Sequence, residues 1–260
     1  NDPGSVLLVH DSKGELIRRL EGPVSKGFHR VAWDLRYPSH EPVTLKPPEF
    51  RPPWWEPPQG PLVLPGTYSV KLAKRIDGEL TSVGQSVSFE VKALPVESPL
   101  VTDARADLLA FQNKTAELSR AVQGATKAMV EFGARIDHLK VAIDRTPALS
   151  ESFRSRLQDL ESIHDELNTL MSGDSTVRRR NEPAPWSISA RVASIVEGHW
   201  NSLAAPTGTH RAAYAIASEE FSRVLRRIRR LDTYLEALEQ QIEQNGAPWT
   251  PGRVPSGEKR

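Results

Sequence analysis

Residues 27–38, GFHRVAWDLRYP, place Val31, Trp33 and Leu35 on one face of an extended chain and Arg30, Ala32, Asp34 and Arg36 on the other. That period of two marks a half-buried strand. Trp33 is thereby expected in a core, and Asp34, opposite it, is placed to accept hydrogen bonds from nearby turn amides. The strand must then break. YPSHEPVTLKPPEFRPPWWEPPQGPLVLP follows over residues 37–65, and its repeated prolines remove backbone donors and hold the residues before them extended. We read residues 38–65 as an ordered insertion along the strands, pinned down by burial of Phe50, Trp54 and Trp55.

The surrounding sequence follows the same pattern. VLLVHDSKGELIRRL, residues 6–20, has apolar flanks around Asp11-Ser12-Lys13-Gly14, a hairpin turn in which Gly14 can take positive φ. Downstream, PGTYSVKL opens a strand with Gly66 at its start and Tyr68, Val70 and Leu72 alternating; Asp77-Gly78 suits a second hairpin turn, and Val87, Phe89 and Val91 alternate on the return. About five or six strands at this spacing predict an immunoglobulin-like antiparallel β-sandwich over residues 1–95.

After Pro95 the period changes. Leu118, Val122, Ala125, Met129, Phe132, Ile136, Leu139 and Ile143 recur at alternating steps of four and three, the heptad seam of a long helix. Thr102 suits its N-cap, Asp103 its first turn and Pro147 its exit. Further seams run through Phe153, Leu157, Leu160, Ile163, Leu167 and Leu170, through Ile188, Val192, Ile195, Val196 and Leu203, and from Phe221 to Ile242. Gly173, APTG and NGAP act as stops. We therefore expect helices near 102–144, 149–172, 188–203 and 209–245, packed as an up-down four-helix bundle over residues 100–246, with residues 247–260 a disordered tail.

Composition excludes several function classes. Lys plus Arg number 34 against 33 Asp plus Glu, so charge makes no case for nucleic acid. The arginines of RVLRRIRRL and VRRR read as solvated helix and loop positions, not an anion patch. There is no cysteine, hence no thiol catalysis or thiolate metal site. No apolar run approaches the about 20 residues of a membrane span. The chain begins at Asn1 without an initiator Met or a signal pattern, and we expect a piece of a longer protein.

Chemistry-bearing patterns are few. Trp33-Asp34 suggests a glycosidase carboxylate, but no second acid is implied at the separation such catalysis needs. His10, His29, His40, His138, His164, His199 and His210 show no metal-ligand spacing and are expected on the surface. His164 and Asp165, as sequence neighbours on a helix, are expected to point apart. No phosphate loop, nucleophile elbow or triad is visible. We therefore assign no catalytic residue, no cofactor and no metal. PPWWEPP is the one binding candidate, with Phe50, Trp54 and Trp55 able to stack on sugar rings or on a proline helix.

GELIRRLEGPVSKGFHRVAWDLRY, followed after the insertion by GPLVLPGTYSVKL, resembles the C-terminal region of secreted bacterial proteins built on a sortilin-like, BNR-repeat β-propeller and often named glycosyl hydrolase-like. The β part is also similar to the immunoglobulin-like domain of flagellar hook-capping proteins, although Leu35-Arg36 and the long insertion replace that family's short Gly turn. The residues that carry the resemblance are Gly27, Val31, Trp33, Asp34, Leu35, Arg36, Pro65, Gly66, Thr67 and Tyr68. It implies an extracytoplasmic, non-catalytic accessory module. Its partners would be the propeller of the same parent chain and, through the helices, another protein or a second copy. Any hydrolase activity would belong to the propeller, and an intrinsic hydrolase stands behind glycan or peptide binding as a third reading.

Overall fold

The computed structural model describes residues 3–45, 50–93 and 102–254. Among the described residues, four strands combine with five helices: β1 (Gly4–His10), β2 (Leu16–Gly22), β3 (Gly66–Ile76), β4 (Glu79–Val91), α1 (Thr102–Asp144), α2 (Glu151–Ser172), α3 (Ser175–Arg179), α4 (Ile188–His199) and α5 (Gly208–Gln244). It is a mixed β + α fold. Two compact units form, residues 1–116 with 196–207 and residues 117–195 with 208–260. The transition expected near Pro95 and the side chains of Thr102 and Asp103 lie outside the described residues.

In the first unit the strands make one antiparallel sheet in the order β2-β1-β3-β4. Both hairpins turn where glycine permits it: Gly14 has φ +83°, and Asp77 and Gly78 have φ +53° and +87°. Asp11 fixes the first turn, its Oδ1 accepting from the amides of Lys13 and Glu15 at 2.9 Å each. A two-residue turn with both φ values positive matches the natural twist of a strand pair.

The strand expected at residues 30–36 is not a strand. Residues 28–35 are irregular, and a single bridge joins Arg36 to Leu62. Side-chain alternation is nevertheless present, with Val31 and Trp33 half-buried and Ala32 and Asp34 exposed. Leu35 leaves the pattern because its φ is +57° and the Asp34 carboxylate captures the Arg36 amide at 3.2 Å. The segment therefore lies over the sheet as a cover. Trp33, Tyr37, Val70 and Phe89 pack on a core of Val9, Ile17, Val63 and Tyr68.

The far half of the second hairpin also departs from expectation. A register shift between Val70 and Leu72 makes a bulge within β4, where Gly84 has φ +71°. Leu72, Val83 and Val87 are exposed, while Phe89 and Val91 stay partly buried.

In the second unit every seam residue of α1 from Leu118 to Ile143 is buried, as are Phe221, Val224, Ile228, Leu231, Leu235, Leu238 and Ile242 of α5. Helix α2 buries Leu157 and Leu167 but exposes Leu170. Its cross-helix pairs run in opposite order, Lys140 with Glu161 and Met129 with His164 on one side, Arg227 with Glu166 and Gln241 with Arg156 on the other. Helix α2 is thus antiparallel to both α1 and α5. Residues 247–254 are not an unstructured tail. Gly246, with φ +86°, turns the chain back, Thr250 is buried, and Arg253 pairs with Glu243. Residues 255–260 lie outside the described residues.

Candidate functional site

Around Trp33 the motif residues meet as a structural knot. The indole stacks edge-on against Tyr68 at 5.7 Å and Phe89 at 6.1 Å, and its Nε1 donates to the Arg36 carbonyl at 3.1 Å. Tyr68 donates its hydroxyl to the Leu64 carbonyl at 2.6 Å. Burial, then the neighbouring Tyr37 and Asp11, pushes the Tyr68 phenol up to about 12. Asp34, besides its turn bond, faces Arg18 at 3.5 Å. Its carboxylate is thereby engaged in holding the turn and Arg18.

Arg36 does more than its strand position suggested. Its Nη1 donates to the carbonyls of Gly60 at 3.2 Å and Trp200 at 3.1 Å, and its Nη2 to Asn201 Oδ1 at 2.7 Å. Tyr37 N to Pro61 O at 3.0 Å and Val63 N to Leu35 O at 2.8 Å close the base of the insertion. Gly60 is obligatory there, since a Cβ would sit 2.4 Å from the Tyr37 carbonyl oxygen. The insertion is a loop clipped at its base.

The tip of that loop is where sequence and structure differ most. Phe50 and Trp54 are 78% and 81% exposed and Trp55 is 36% exposed, so these rings do not pin the insertion to the sheet. Trp55 carries the Arg51 guanidinium over its face at 4.8 Å, and its amide closes a turn onto the Pro52 carbonyl at 2.9 Å. Proline removes backbone donors here, and the Pro52–Trp55 turn and the bonds at the base, not apolar burial, tie the loop. Gly66 is exposed with open space around it.

Not all histidines are at the surface. His199 is buried, and the His164 side chain is 14% exposed. His164 Nδ1 also meets Asp165 Oδ1 at 3.1 Å, while Nε2 meets the Met129 carbonyl at 2.9 Å. Rotation about χ1 and χ2 lets adjacent residues on a helix touch although their Cβ atoms diverge. Among the described residues no group of three or more His, Asp or Glu is placed to hold a metal ion, and no helix is long and apolar enough to cross a membrane.

The second unit adds a feature that sequence reading missed, a cavity of about 710 Å³ lined by Leu170, Val177, Trp186, Ile188, Arg191 and Val224 among others. No family model, no curated protein and no solved structure matches the chain.

Proposed function

We propose that this chain is a non-catalytic accessory module of a larger secreted protein, docking against a partner domain such as the propeller implied by its motif residues. What carries the reading is the β4 edge of the sheet, which has no partner strand among the described residues. Strand β4 is 13 residues long and exposed over nearly its whole length. Leu80, Val83 and Val87 are solvent-facing, with Leu72 and Ile76 beside them on β3. From Leu80 to Phe89 the strand carries no charge and no proline, two of the devices by which edges resist pairing. Such an edge suits strand addition or packing by another domain.

On the same reading the sheet belongs to the immunoglobulin-like class, with residues 31–37 and 60–63 standing where a second layer would pack, and the helices form an up-down four-helix bundle. An extracytoplasmic location rests on the resemblance alone. The test is calorimetric titration of this chain with the parent protein's propeller. Binding that falls at least about tenfold in Val83→Lys and Val87→Lys, at unchanged melting temperature, is the expected result. Absence of binding, or glycoside turnover by the isolated chain, would overturn it.

Exposure of Phe50, Trp54 and Trp55 favours a second reading, a glycan- or peptide-binding loop. Titration with cellohexaose and with decaproline, followed by tryptophan fluorescence, separates the two ligands. Trp54→Ala and Trp55→Ala should abolish any signal without shifting the melting temperature.

A further inference from the structure

We infer that the second unit holds a binding site for a small amphipathic anion, an aromatic or branched apolar body ending in a carboxylate, with Arg191 as the partner of the charge. The site is the cavity of about 710 Å³ enclosed by the end of α2, α3, the loop at residues 183–187, the start of α4 and the middle of α5. Its volume lies in the range of small-molecule pockets, which are mostly apolar with a few convergent polar groups.

Leu170, Val177, Ile188 and Val224 supply apolar wall. Trp186, 57% exposed, offers an aromatic face, held on a loop that Pro183 and Pro185 stiffen. An exposed ring at the mouth of an apolar cavity gains contact area when a flat apolar group enters.

Charge selects the other end of the ligand. Three arginines line the cavity, against the acids Asp174 and Glu220. Two already have partners: Arg223 faces Glu219 at 3.3 Å, and Arg227 forks onto both oxygens of Glu166 at 2.8 and 2.5 Å. That fork, before any other influence, holds the Glu166 carboxyl below the usual range, so Arg227 is committed. Asp174 is committed as well, accepting from the amides of Thr176 and Val177.

Arg191 differs. Among the described residues it faces no carboxylate within ion-pair distance, and its Nε is buried without an acceptor. It also ends the first turn of α4, where no acidic residue is present. A cation there opposes the positive end of the helix dipole, so the two fields add and favour an anion. The planar guanidinium fork matches a carboxylate through two parallel hydrogen bonds. A neighbouring cavity of about 630 Å³ shares Trp186 but not Arg191, which makes Arg191 the discriminating position.

The experiment titrates the full chain with 1-naphthaleneacetate and with its neutral counterpart, 1-naphthaleneacetamide, by calorimetry. Wild type should bind the acid saturably, with one site, and the amide more weakly. Arg191→Gln should weaken the acid by about tenfold or more and leave the amide unchanged, whereas Trp186→Leu should weaken both. Arg191→Lys, which keeps the charge and loses the fork, should fall between and serves if the Gln variant does not fold. Equal affinity of the acid for wild type and the Arg191 variants, or no saturable binding by wild type at about millimolar acid, overturns the inference.

Discussion

Trp33 shows how one side chain can organise a segment that has no ladder to hold it. Its ring lies between Tyr68 and Phe89, and its only polar atom is bonded to the Arg36 carbonyl. Trp33→Ala removes both kinds of contact and should cost about 3 kcal/mol in urea unfolding, the low end for deleting a large aromatic because the ring is half-buried. Trp33→Phe should recover about half. A loss in Trp33→Ala below about 1 kcal/mol would show that the cover contributes little. Tyr68 permits a second test, by pH. Its folded proton is held up to about 12, whereas an unfolded tyrosine titrates near about 10. Stability from this group is complete below about pH 10 and is lost as pH rises to about 12, because over that window the unfolded chain releases a proton that the folded chain keeps. The slope is about 1.4 kcal/mol per pH unit. Tyr37, also raised, chiefly by burial, adds slope of the same sign. Tyr68→Phe should flatten the alkaline fall in urea midpoints; an unchanged fall would assign it to other groups.

At the scale of elements, legibility follows locality. The seam of α1 was readable because a helix repeats its environment every few residues, and each position from Leu118 to Ile143 that the heptad marked is buried. The turns at Gly14 and Gly78 were readable for a similar reason, since positive φ is decided within the turn itself. Residues 30–36 were misread because alternation reports which side chains meet a core and says nothing about whether the backbone finds a partner strand. The five-residue α3, capped by Asp174, escaped notice because a single turn has no period to detect. Arg36 and Arg191 mark the limit. Arg36 reaches Trp200 across 164 positions, and the Arg191 cavity needs three separate stretches, within residues 169–177, 183–191 and 220–227, to converge. No window along the chain contains either arrangement. The exposed Trp54 and Trp55 show the converse error: apolar composition does not by itself imply burial, and the described part of the insertion is tied by hydrogen bonds at its base.

Across whole units, the deepest electrostatic commitment is in the helices. Arg135 of α1 donates to Asp232 Oδ1 at 2.7 Å and to the two oxygens of Glu239 at 2.9 Å each, on α5. The Glu239 side chain is 4% exposed and that of Arg135 18%, so this is a charge pair largely removed from water. Its hydrogen bond to Glu239, against the opposing effect of burial and with Asp232 adding, holds the Arg135 pKa above the ordinary arginine value. Desolvation makes such a pair a poor source of net stability yet an expensive one to break on one side. Arg135→Ala should therefore cost about 3 to 5 kcal/mol, because it leaves Glu239 buried and unopposed. The paired change Arg135→Met with Glu239→Leu should recover most of that loss, since matched apolar side chains need no compensation in the same space. Urea unfolding followed by helical circular dichroism reads both. If Arg135→Ala cost less than about 1 kcal/mol, water would already be solvating Glu239 and the pair would be an ordinary surface bridge. If the double variant were as damaged as the single one, the network would instead be setting the register of α1 against α5, a role that apolar side chains cannot replace.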